Sequence, residues 1–141
     1  MSQNRIYYCS LWCTIGKVYI DPKHQEKMNI LFVCNQNQHR SKTAEELFKT
    51  QYNTKSAGLY NEHPLTEAEL SWADVVIVME DHQRSEIAKR FPLLYLKRQI
   101  FSLNVPDRFS YNQQQLISLL KNKVEEVMTI QAAASKPLLS K

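Results

Sequence analysis

Two uninterrupted apolar runs mark the interior of this chain: Ile30-Leu31-Phe32-Val33-Cys34 and Val75-Val76-Ile77-Val78-Met79. Neither alternates with polar residues. Continuous, largely β-branched runs of this length suit strands of a parallel sheet covered on both faces. Between them the spacing becomes helical. Ala44, Leu47, Phe48 and Tyr52 recur at three- and four-residue intervals over 41–52, with Glu45, Glu46 and Lys49 opposite, and Leu116, Leu119, Leu120, Val124 and Val127 do the same over 113–128. Shorter helices are expected over 65–72 and over 81–91, the latter closed by Pro92, because the residue before a proline is driven out of helical geometry. Further strands are expected over 54–57, ended by Gly58, and over 99–103, with a loop over 104–112 before the last helix. Strands alternating with helices imply right-handed crossovers, and hence an α/β fold: a three-layer α/β/α sandwich on a four-stranded parallel sheet. Ligands of such sheets bind beyond the carboxyl ends of the strands, where Cys34 and Asp107 both fall.

The 141 residues suit one domain with its own core. Residues 28–131 are expected to form it, and 132–141, small-residue and Pro-containing, to be a flexible tail. Residues 1–27 read as an extension, either translated upstream of a natural start at Met28 or folded as a short hairpin on a sheet edge, given the alternation in Arg5-Ile6-Tyr7-Tyr8 and Lys17-Val18-Tyr19-Ile20. The apolar stretch 6–20 holds Ser, Thr and Lys17 and is too short to span a bilayer, and no small-residue cleavage pattern follows it, so neither a membrane partner nor export is expected. The net charge of +4 and pI near 9.0 come from interspersed charges without a block of five. A mild attraction for anions follows, with no nucleic-acid partner required. The three cysteines are an odd number, and Cys9 and Cys13 lack the second ligand pair of a zinc site, so a reducing cytoplasm is the expected location.

The chemistry concentrates in Cys34-Asn35-Gln36-Asn37-Gln38-His39-Arg40-Ser41, between the first core strand and the first helix. Five residues between Cys34 and Arg40 are enough to curl around one tetrahedral oxyanion, with the sulfur beneath it and the guanidinium over two of its oxygens. The first turn of the following helix offers unpaired N–H groups and the positive end of the macrodipole, which together bind anions. The same dipole, the loop amides and Arg40 favour the thiolate, which is the nucleophilic form. Ser41 can donate its hydroxyl to the sulfur, Asn37 can brace the loop from inside, and Arg40 has the planar fork that grips two phosphoryl oxygens. Asn35, Gln36, Asn37, Gln38, His39, Arg40 and Ser41 are the candidate phosphate-binding residues.

On these residues, with Thr43-Ala44-Glu45, Ser56-Ala57-Gly58, Trp72-Ala73-Asp74, Val78-Met79-Glu80 and Pro106-Asp107-Arg108-Phe109, the chain from Met28 to about Val127 resembles the low-molecular-weight protein tyrosine phosphatases, in detail a divergent bacterial branch of predicted tyrosine phosphatases. The resemblance implies a cofactor-free, metal-independent phosphomonoesterase acting on a phosphorylated substrate such as a phosphotyrosine protein. Cys34 would be the nucleophile, Arg40 the clamp and Asp107 the general acid. Phe109, Tyr111 and Tyr60 would line the substrate rim, although loop aromatics equally often cover a neighbouring core. Three departures stand out. Gln36 occupies a position where the family usually has Gly, so a positive φ there would be strained. His39 replaces the cysteine that many members carry before the Arg, and Arg108 replaces the Pro usual after the Asp. Two other readings accompany this one: a phosphate-binding module with little turnover, and an arsenate reductase, which would need relay thiols that do not follow Cys34. The sequence carries no sign of oligomeric state.

Overall fold

A computed structural model describes residues 6–7, 18–19 and 27–135. Strands β1 (Ile6–Tyr7) and β2 (Val18–Tyr19) pair antiparallel, Ile6 opposite Tyr19 and Tyr7 opposite Val18. These two strands form a two-stranded sheet of their own rather than an added edge of the main sheet. Cys9 and Cys13 lie outside the described residues.

The main sheet is parallel, in the order β4 (Asn53–Gly58), β3 (Asn29–Cys34), β5 (Val75–Val78), β6 (Gln99–Ser102). The two continuous apolar runs are its central strands. Ile30, Phe32, Val75, Ile77 and Met79 turn to one face, where α1 (Arg40–Phe48) and α5 (Gln114–Ser135) contribute Ala44, Phe48, Leu116, Leu120, Val124 and Val127. Leu31, Val33, Val76 and Val78 turn to the other, under α2 (Glu67–Trp72), α3 (Asp81–Arg90) and α4 (Pro92–Lys97). Every side chain in Ile30–Val33 and Val75–Met79 is fully buried. Burying an aliphatic or aromatic side chain of this kind is worth roughly 1.5–3 kcal/mol. The three-layer α/β/α architecture is as the sequence implied.

Several boundaries differ from expectation. Helix α1 stops at Phe48 rather than running to 52, because the chain must turn back for Asn53 to pair with Asn29. Tyr52 still packs on the core, from the turn. Pro92 does more than close α3: it starts α4, at a position where its missing N–H costs nothing. Helix α5 runs to Ser135, carrying the first residues of the expected tail, 132–135, into helix.

This topology gathers the chain at one end of the sheet. Cys34 pairs with Gly58, the Met79 N–H donates to Val33 O (3.1 Å), and the Val105 N–H donates to Met79 O (2.8 Å). The loops after β3, β5 and β6 therefore emerge side by side.

Candidate active site

Cys34 is the last residue of β3 and is 3 % exposed. The Asn37 N–H donates to its Sγ at 3.1 Å, and the Ser41 Oγ lies 2.8 Å from the same sulfur and 2.8 Å from Asn37 Oδ1. With a proton on sulfur, Cys34 can donate to Ser41 and Ser41 to Asn37. With sulfur ionised, the hydroxyl can turn to it. Both states keep a hydrogen bond on the sulfur, so ionisation needs no rearrangement of the loop.

Asn37 is the left-handed residue of the loop, at φ 57°, and Gln36 is not. The strain foreseen at Gln36 is absent, because the positive φ falls one residue later on Asn, a residue type that tolerates it well. The Asn37 side chain accepts from the Ser41 hydroxyl, tying the loop to the first turn of α1 rather than to the loop's own backbone as its residue type suggested.

Arg40 opens α1 and is 2 % exposed, so its charge must be met by the protein. Its Nη1 donates to Val105 O at 2.7 Å and lies 3.5 Å from Glu80 Oε2, while Nη2 lies 3.6 Å from Asp107 Oδ1. The loop after β6 therefore carries both a carbonyl anchor for the guanidinium and the candidate acid. His39 stands at the N-cap of α1 and supplies no side-chain cap to the first-turn N–H groups. A cavity of about 260 Å³ is lined by Cys34, Asn35, Gln36, Gln38, His39, Arg40 and Asp107. Sulfur, loop, guanidinium and Asp107 thus share one concave space.

The expected rim aromatics fare differently. Phe109 is buried at 7 % exposure in the core cluster with Leu103, Val105 and Leu116, so of its two readings the structure takes the core one. Tyr60 and Tyr111 are half-exposed, but neither lines the cavity. The Tyr60 ring faces the Arg90 guanidinium at 5.2 Å, and Tyr111 is carried beside α1, where the Asn112 N–H donates to Thr43 Oγ1 at 2.8 Å. Trp72 packs at the edge of the second core cluster.

Three participants were not singled out for this site. Glu80 reads from sequence as a helix-start acid, yet its carboxylate meets Arg40 and accepts from His82 at 2.7 Å when His82 Nε2 carries the proton. Gln83 is fully buried and joins α3 to the loop. Gly58 lies against the loop backbone, where a Cβ would come within 3.0 Å of Asn35 O and Asn37 N. The spacing of Glu80 and Gln83, acid and amide at the two ends of a capping box, was the available signal for Gln83.

Comparison with solved structures places the fold among low-molecular-weight phosphatases, in agreement with the resemblance read from sequence. The YwlE arginine phosphatase of Geobacillus stearothermophilus superposes with a TM-score of 0.59 at 22% identity, over 78% of this chain and 99% of that one. A YwlE mutant of Bacillus subtilis gives 0.51 at 26% identity, over 70% and 90% of the two chains. The Erwinia amylovora tyrosine phosphatase AmsI gives 0.61 at 18% identity, over 77% and 95%. No family model and no curated protein matches the chain. Among the described residues no helix is long and apolar enough to cross a membrane.

Proposed function

We propose that this protein is a cysteine-dependent phosphomonoesterase acting on phosphorylated protein side chains, without a cofactor and within the cytoplasm. One observation carries the reading: a buried Cys34 sulfur, bonded by Asn37 N–H and Ser41, opens into the same small cavity as a buried guanidinium at a helix start. Cys34 thiolate attacks phosphorus in line while Arg40 and the loop amides hold the equatorial oxygens. The bond to the leaving oxygen breaks, and Asp107 gives that oxygen its proton. Asp107 then takes a proton from water as the water attacks phosphocysteine, the P–S bond breaks, and phosphate and thiolate are restored.

The solved structures that share the fold include proteins named as arginine phosphatases and as a tyrosine phosphatase, so phosphotyrosine peptides, in which a P–O bond breaks, and phosphoarginine peptides, in which a P–N bond would break and Asp107 would protonate the leaving nitrogen, are to be compared first. Rapid mixing with an aryl phosphate should give a burst of phenol and an acid-trapped phosphate adduct on Cys34, and Cys34→Ser should lose both while still binding phosphate, because an unactivated hydroxyl is not ionised near neutral pH. Phosphate binding without a burst in the wild type would favour the second reading, a phosphate-binding module, which the exposed Arg108 in place of the usual Pro still motivates. The arsenate-reductase reading would need relay thiols: among the described residues Cys34 is the one cysteine, and Cys9 and Cys13 lie outside them.

A further inference from the structure

We propose that Gln83 is a positioning residue for the phosphate-binding loop, setting the loop's first peptide groups through Asn35 rather than only capping α3. The inference rests on the phosphatase reading of the same site. Gln83 is fully buried at the third position of α3, and its Oε1 accepts from the Met79 and Glu80 N–H groups, both at 2.9 Å. That oxygen alone completes Gln83's half of the capping box, the other half being the Glu80 side chain on the Gln83 N–H. Glutamate would serve the cap equally well and is a usual partner in a capping box, but it would bring a charge into a site with no exposure. Glutamine keeps the acceptor neutral and adds a donor.

The donor end is what the cap does not need. Nε2 donates to Asn35 Oδ1 at 2.9 Å, across 48 residues of sequence, and Asn35 is the first loop residue after Cys34. The backbone of Asn35 is held as well: its carbonyl accepts the Tyr60 N–H at 2.9 Å and lies against Gly58, where a Cβ would stand only 3.0 Å away. Asn35 is thus fixed by side chain and by main chain, from α3 and from the turn after β4. With both fixed, the peptide between Asn35 and Gln36 has one orientation, and its N–H belongs to the set that meets an oxyanion. The loop's other brace, Asn37 to Ser41, acts from the inside and leaves this first peptide untouched.

Gln83 also reaches the clamp. Its Oε1 holds the Glu80 backbone, and the Glu80 carboxylate lies 3.5 Å from Arg40 Nη1. One buried amide therefore connects the start of the loop with a charge partner of the guanidinium. A cavity of this size tolerates little drift, since misplacement by about 1 Å can cost about a hundredfold in rate.

The test is a double-mutant cycle in the full-length chain, using Gln83→Glu, which keeps the cap acceptor and loses the donor, Gln83→Met, which loses both, and Asn35→Ala. kcat and KM for p-nitrophenyl phosphate, the inhibition constants of phosphate and vanadate, and Tm are measured for each. The positioning role predicts that both Gln83 variants weaken phosphate and vanadate and lower kcat by about tenfold or more, and that the kinetic losses fail to add in the Asn35→Ala background. A fall in Tm with unchanged kinetics, or losses that simply add, would overturn it. If Gln83→Met does not fold, Gln83→Glu with Asn35→Ala completes the cycle. A wild type that binds phosphate without turnover sinks the phosphatase reading alone, because phosphate affinity across the cycle still decides whether Gln83 positions the loop.

Discussion

Gly58 offers a direct measure of how tightly the loop is seated. It closes β4 opposite Cys34, and its φ is not in the left-handed region, so its role is space rather than backbone freedom. A Cβ added there would stand 3.0 Å from Asn35 O, Asn37 N and Asn61 Cγ, each a few tenths of an ångström inside ordinary contact. Asn61 can swing aside, but the other two atoms are loop backbone, and β4 is tied to β3 along its whole length. The loop itself must therefore move. Overpacking of this kind costs about 1–3 kcal/mol, which for a chain of this size lowers Tm by roughly 3–10 °C. A loop displaced by several tenths of an ångström should lose about three- to tenfold in kcat/KM, scaling down from the hundredfold associated with about 1 Å. Gly58→Ala should be assayed by thermal unfolding and with p-nitrophenyl phosphate, beside Gly58→Ala/Asn61→Gly, which relieves one contact and should recover part of the stability but little of the rate. A Gly58→Ala protein with wild-type Tm and wild-type phosphate affinity would refute the reasoning, since it would mean that the loop is free to yield.

Two further outcomes separate the clamp from the acid. Arg40→Lys should lose most turnover and phosphate affinity, because an ammonium cannot reproduce the bidentate fork and would leave the anchor at Val105 O poorly met; near-normal kinetics would show that the guanidinium only balances Glu80 and Asp107. Asp107→Asn should slow alkyl phosphates on the order of a hundredfold while sparing p-nitrophenyl phosphate, whose leaving group departs as the anion, and equal effects on both would remove Asp107 from the role of acid and make Glu80 the next residue to test.

The fold was legible wherever burial on two faces left a local mark. Ile30–Val33 and Val75–Met79 could be nothing other than central strands, since every position meets one helical layer or the other. Boundaries set by distant partners were not legible. Tyr52 continues the helical spacing of α1 perfectly well, yet the register of Asn53 against Asn29 requires a turn before it. Pro92 announces only a stop in sequence, and whether a new helix starts there depends on Leu94 and Tyr95 finding the core beneath α3. Phe109 could have walled the cavity as well as the core, and Val105 pairing with Met79 decides it by turning the loop inward.

The site divides in the same way. Cys34, Asn37, Arg40 and Ser41 were readable as candidates because residues able to ring one oxyanion are neighbours in sequence, and the roles proposed for them rest on residue type and spacing. Glu80, Gln83 and Gly58 reach the loop from other strands and helices, across 40, 48 and 23 residues, and the capping-box spacing of Glu80 and Gln83 marks a helix start rather than this contact. The amide-rich run Asn35-Gln36-Asn37-Gln38 then takes on a physical order. Asn37 supplies the left-handed turn that a glycine would otherwise supply and braces it to Ser41, while Asn35 gives Gln83 something to hold. Gln36 and Gln38 are exposed residues of the cavity lining, with neither duty. A loop without glycine is thus shaped by two side-chain amides, and its geometry should depend on Asn35 and Asn37 far more than on the Gln36 departure that first draws the eye.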